Sequence, residues 1–207
     1  MNNKQTTIKN SISLEGVGIH TGKDVKLTFR PAKENTGYIF KRVDLDDKPE
    51  IEALAKYVVN TQRGTTLEKD GVKLKTTEHV LAALVGLEID NILIEINAEE
   101  PPIMDGSSKF FVNALEKAGL KELSSLRKEY IVKDVISFND PDSGSEITLI
   151  PSENYQITTM VDYETKVLGT QNATLTKLSE FKDEFSNART FSFLHEIEML
   201  LENNLIK

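Results

Sequence analysis

Hydrophobic and polar residues alternate through the first part of the chain. Val25, Leu27 and Phe29 fall on one side of a period-two pattern, with Lys26, Thr28 and Arg30 on the other, which predicts a half-buried strand. Residues 38–43 read as its partner, after a turn rich in Asn35, Thr36 and Gly37. Short strands at 65–68 and 72–75 flank Lys69-Asp70-Gly71, and Asp-Gly is a strong hairpin signal. From about 77 to 87 the pattern becomes helical. Little polar surface follows His79, so this helix is expected to lie buried against the sheet. A further strand is expected at 91–96. Phe110, Phe111, Ala114, Leu115 and Ala118 then recur at helical spacing up to Gly119, a good helix stop.

A polar stretch, 121–128, reads as a linker. The strand pattern restarts beyond it, at 130–138, 146–150 and 155–163, and helical patterns follow at 179–187 and 191–203. Two rounds of strands followed by helices predict an α+β fold of two domains, 1–122 and 127–207, without an internal repeat.

Composition narrows the class. With 39% apolar and 28% charged residues in 207, the chain reads as a globular protein with enough length for a core. No apolar run approaches a bilayer-spanning length, and Met1–Thr6 lacks the apolar core of a secretion signal. Zero cysteines exclude disulfides, thiolate metal sites and thiol catalysis, and the cytoplasm is the expected compartment. A net charge of −8 argues against nucleic-acid binding. An anionic small molecule would need a local cluster of cations, for which Lys23, Arg63 and Arg189 are candidates. The alternative for each is an ordinary solvated or paired charge.

The stretch with most chemical content is Thr76-Thr77-Glu78-His79-Val80-Leu81-Ala82-Ala83-Leu84. A threonine before Glu and an apolar run signals a helix start. Free N–H groups and the helix dipole favour an ionised Glu and a neutral His there. A hydrolytic metal centre needs that combination: a carboxylate to take a proton and an imidazole to ligate. Successive helical residues point about 100° apart, so one can hold a metal while the other reaches its water. The zinc-protease signature is absent, because position 83 is Ala and position 75 is Lys, and any site on His79 must recruit distant ligands. The plainer reading is a helix-start acid beside a satisfied polar residue.

Further motifs stand in order around this one: Gly16-Val17-Gly18-Ile19-His20-Thr21-Gly22, then Gly86-Leu87-Glu88-Ile89-Asp90-Asn91, Pro101-Pro102-Ile103-Met104-Asp105-Gly106-Ser107, and Ala188-Arg189-Thr190-Phe191. Together they resemble the zinc-dependent UDP-3-O-acyl-N-acetylglucosamine deacetylases of lipid A biosynthesis, from about Thr7 to the last residue. The resemblance implies two α+β domains, each a sheet with helices, packed around an active site between them. It implies Glu78 as general base, His79 as zinc ligand, Thr190 as the donor that steadies the tetrahedral oxyanion, and His20 near the diphosphate. It further implies Asp162 and Tyr163 at the uracil, and Phe191, Leu194 and Ile197 along the acyl passage. Asp105 matches a position near the active site, and Ser145 stands where some members carry a lysine near the nucleotide.

Plainer roles remain open. Thr190 could be a helix N-cap, Tyr163 the end of a core strand, Asp105 a turn residue, and His20 part of a Gly-flanked turn. The stripe Leu194, Ile197 and Leu201 could equally be core.

The family takes two more zinc ligands from a His-x-x-x-Asp segment and its general acid from a later histidine. This chain has only His20, His79 and His195, and no His-x-x-x-Asp in its C-terminal third, where the family carries it; the one such spacing, His20 to Asp24, lies near the N-terminus. The chain is therefore expected to be the N-terminal two-thirds of a deacetylase, with an incomplete second domain, an unfinished zinc site, poor solubility and no activity alone. A non-catalytic nucleotide-sugar binding protein on the same scaffold is the alternative. A segment of a bifunctional protein, fused to an acyl-carrier-protein dehydratase as some relatives are, is a third reading.

Overall fold

The computed structural model describes residues 4–62 and 64–202, with the backbone alone at His195. Arg63, the His195 side chain and residues 203–207 lie outside the described residues. The first half contains β1 (Lys4–Ile8), β2 (Ile12–Val17), β3 (Asp24–Pro31), β4 (Tyr38–Arg42), β5 (Glu50–Glu52), β6 (Val58–Asn60), β7 (Thr66–Lys69), β8 (Val72–Leu74), α1 (Glu78–Gly86), β9 (Ile92–Ile96), α2 (Lys109–Ala118) and β10 (Leu120–Leu126). The second contains β11 (Ile136–Asn139), β12 (Glu146–Leu149), β13 (Ile157–Asp162), β14 (Thr170–Leu175) and α3 (Leu194–Glu202). The fold is α+β, and no helix among the described residues is long and apolar enough to cross a membrane.

The main sheet has the order β2-β3-β9-β4-β5. Its inner face carries Val25, Leu27, Phe29, Phe40, Ile92, Ile94 and Ile96, all buried, against which α1 and α2 contribute Val80, Ala83, Leu84, Phe111, Val112 and Leu115. Phe111 meets Phe29 edge to face at 6.5 Å. Each such side chain removed from water is worth about 1.5–3 kcal/mol.

β4 does not pair with β3 as its sequence position suggests. The more apolar β9 lies between them, antiparallel to β3 and parallel to β4. The central place goes to the strand of this sheet with the largest buried share, three residues of five, whereas hairpin reasoning considers only sequence neighbours. The β7–β8 hairpin forms as expected, with Asp70 and Gly71 at φ 52° and 80° in the turn.

Residues 121–126, expected as linker, are instead part of strand β10, antiparallel to β1. Its residues are mostly exposed, so no apolar alternation marks it; the partner strand supplies its hydrogen bonds. Arg127 pins its end through Glu88 and Asp90.

The second half differs in kind. β11–β12 and β13–β14 are separate two-stranded hairpins whose residues are exposed, apart from Leu175. The helix expected at 179–187 is a 3-10 turn followed by a π-helical turn, Phe181–Phe185. This turn is shaped by docking: Phe181 packs on Gly86 of α1, Ser186 accepts from Ser108 through its carbonyl, and Lys182 pairs with Glu116. α3 begins at Leu194, three residues later than expected. The Glu196 carboxylate accepts the Phe193 N–H and closes its first turn.

Candidate functional site

Four sequence motifs are linked by a chain of contacts that reaches the N-terminal end of α1. β2 ends at Val17, and the Gly18–Lys23 loop closes through Gly18 N–H to the Lys23 carbonyl and Gly22 N–H to the Gly18 carbonyl. The Pro101–Ser107 segment runs beside it: Ile103 N–H bonds the Val17 carbonyl, and a Cβ on Gly16 would stand 3.0 Å from Pro102. The third segment is Thr76-Thr77-Glu78-His79 itself. Thr190 N–H bonds the Gly106 carbonyl at 2.8 Å and brings in the fourth.

Glu78 is the first residue of α1. Thr77 precedes it without capping: its backbone is already helical, and its hydroxyl donates instead to the Thr65 carbonyl at 3.1 Å. Glu78 Oε2 accepts the Thr65 N–H at 2.8 Å, and Oε1 lies 4.0 Å from His79 Nε2. The carboxylate is more exposed than the imidazole, 37% against 17%. The acid is thus tethered at one oxygen and open at the other, with the imidazole alongside. Among the described residues no three His, Cys, Asp or Glu side chains gather to hold a metal ion. The pair fits part of a zinc shell, not the whole.

Comparison with known proteins matches residues 5–207 to the family described as LpxC, UDP-3-O-acyl N-acetylglycosamine deacetylase. The chain belongs to this deacetylase family. It is 47% identical over 204 residues to the bifunctional enzyme LpxC/FabZ of Bacteroides thetaiotaomicron, covering 99% of this chain and 44% of that protein. It is 45% identical over 204 residues to the protein of the same name from Porphyromonas gingivalis, with 99% and 44% covered. The UDP-3-O-acyl-N-acetylglucosamine deacetylase of Idiomarina loihiensis is 43% identical over 206 residues, with 98% and 67% covered. The chain therefore spans less than half the length of the first two relatives.

The residues matched to the deacetylase pattern are distributed unevenly. Asp105 is exposed and accepts the Ser107 N–H and hydroxyl, and the hydroxyl bond and nearby Arg189 hold its carboxyl below the ordinary range despite partial desolvation. This is the turn role expected of it, one residue before the Gly106 carbonyl that accepts the Thr190 N–H. Thr190 is not the N-cap of α3, which starts four residues on. Lys23 is shared with Glu99 at 3.7 Å.

Tyr163 meets Phe191 edge-on at 5.1 Å, and Phe191 meets Phe193 at 5.8 Å. This brings together rings expected at two different parts of the substrate. Tyr163 does not end a core strand, because β13 buries nothing. Asp162 is exposed and accepts the Glu164 N–H. Among the described side chains of α3 the buried one is Leu200, while Leu194 and Leu201 are 72% and 57% exposed. Of the stripe Leu194, Ile197 and Leu201, the two leucines are thus not core, and Ile197 is half-buried. Ser145 sits exposed in the β11–β12 turn.

Sequence reasoning passed over Glu100. It is fully buried and bonds both the His20 loop and Thr76. Nothing in Glu99-Glu100 marks the second acid as the inner one; only the following Pro101-Pro102, which fixes the chain direction, hints at a constrained site.

Proposed function

We propose that this chain carries part of the active site of a zinc-dependent deacetylase that hydrolyses the N-acetyl group of UDP-3-O-acyl-N-acetylglucosamine, a step of lipid A biosynthesis. The observation that carries this reading is the chain of contacts that links four separated motifs and reaches the start of α1, where Glu78 and His79 lie side by side. A non-catalytic binder would need neither side chain. The relatives named as deacetylases support the substrate class.

When bound, zinc supplies an activated water and a Lewis acid. His79 is the ligand this chain would offer. The described residues do not complete the shell, so the steps assigned here concern the protein groups alone. Glu78 takes a proton from the attacking water through its open oxygen. Thr190 donates to the oxygen on which charge develops. His20 lies on the diphosphate side, Asp162 and Tyr163 meet the uracil, and Phe191, Leu194 and Ile197 line the acyl chain. The 1–122 and 127–207 segments form the two halves of the site, in a cytoplasmic enzyme.

Metal analysis separates the two central roles. In a chain extended to the full length of its relatives, Glu78→Gln should keep zinc at one equivalent, while His79→Ala should lose most of it. The 207-residue chain should hold zinc weakly and release no acetate. Full zinc occupancy in His79→Ala would refute the assignment.

A further inference from the structure

Glu100 has no part in the functions assigned so far, yet it is 0% exposed. Burying a carboxylate costs several kcal/mol unless donors surround it. Its Oε1 accepts the N–H of His20 at 3.0 Å, the N–H of Thr21 at 2.8 Å and the Thr21 hydroxyl at 2.7 Å. Two consecutive backbone N–H groups aimed at one oxygen form an anion-holding nest, and here the chain fills it with its own acid. Three donors converging on one buried oxygen fix the loop in place.

The opposite oxygen faces the site. Glu100 Oε2 lies 3.5 Å from the Thr76 hydroxyl. Thr76 is in the left-handed region, at φ 53°, two residues before Glu78. A non-glycine residue holds that conformation only where its surroundings fix it. Thr76 Oγ1 and Glu78 Oε1 stand 3.6 and 3.2 Å from a Cβ placed on Gly64, so the two side chains border the same small space. On the loop side, a Cβ on Gly18 would stand 2.1 Å from Glu100 Oε1. The glycine is needed because the carboxylate occupies that space.

We propose that Glu100 is a positioning residue that locks the His20 loop to the N-terminal end of α1. One buried carboxylate then sets both the diphosphate side of the site and the approach to Glu78 and His79. The loop-locking role rests on geometry alone; its consequence for nucleotide binding rests on the proposed function.

Amide hydrogen exchange of the 207-residue chain, read by NMR, tests the first part, and calorimetric titration with UDP tests the second. Glu100→Ala should speed exchange at His20 and Thr21 about tenfold relative to Ile94 in the central sheet. Glu100→Gln keeps an oxygen acceptor toward the loop and should restore exchange to within about threefold of wild type. UDP affinity should fall about tenfold in the Ala variant and recover in the Gln variant. Should Glu100→Ala fail to fold, Thr21→Val removes the hydroxyl arm, together with the long Lys23 N–H bond to that hydroxyl, and should still speed exchange at His20.

A folded Glu100→Ala, or Thr21→Val, with wild-type exchange at both amides overturns the proposal. So does UDP binding that is unchanged in a folded Glu100→Ala. A wild-type chain that ignores UDP while the exchange pattern holds counts against the proposed function and supports the locking role.

Discussion

Single side chains in this protein act through what they hold. Arg42 is buried and bonds Asp44 through two of its three guanidinium nitrogens, at 2.9 and 2.7 Å, while the third donates to the Lys73 carbonyl. The guanidinium bonds hold the Asp44 carboxyl below its ordinary value of 3.8. A depressed carboxylate contributes stability above its unfolded pKa and loses it as pH falls through the folded one. Asp44→Asn should therefore cost about 1–3 kcal/mol at neutral pH, and the difference from wild type should vanish well below pH 3.8. Urea unfolding across that range checks it; a cost independent of pH would remove the ion pair from the account. Glu78 and Glu100 show the same contrast at the site. The open carboxylate of Glu78 was recognisable from its neighbours in sequence, because helix start, acid and imidazole are adjacent. Glu100 was not, since its donors come from residues about 80 positions away.

Elements were legible where one face is buried. β3, β9, the β7–β8 hairpin, α1 and α2 all carry their period in the sequence, because apolar residues recur wherever the core touches them. β10 was hidden because its stability comes from backbone bonds to β1 and from Arg127 at its end. The π-helical turn after Glu180 was hidden for a related reason: it is shaped by Phe181 docking on α1. A Cβ on Gly86 would stand 2.0 Å from the Phe181 ring. Glycine to alanine in an open helix normally gains about 1 kcal/mol. Here Gly86→Ala should instead cost about 1–3 kcal/mol through the displaced ring. Thermal or urea unfolding gives the sign, and a more stable variant would show that Phe181 does not need the glycine.

At the scale of the whole chain, one half owns the core and the other displays its apolar side chains. Phe138, Ile147 and Met160 are 64%, 64% and 72% exposed on two unjoined hairpins. Unpaired strand edges and exposed apolar faces favour association. The 207-residue chain should therefore self-associate at micromolar concentration, and Phe138→Lys with Ile147→Lys should reduce this. Sedimentation decides it; a monodisperse monomer that binds no hydrophobic dye would contradict the expectation. The α+β class was legible from two rounds of strand and helix patterns, but sequence periodicity could not say that the second round would remain unburied. Burial depends on partners that periodicity does not name.

The claim on which the rest stands is that Glu78 acts as the base beside a metal-ligating His79. Its most direct test is acetate release from UDP-3-O-acyl-N-acetylglucosamine by a chain extended to the full length of its relatives. Glu78→Gln should lower kcat by about 10²–10⁴ with KM little changed. A kcat equal to wild type would contradict the account.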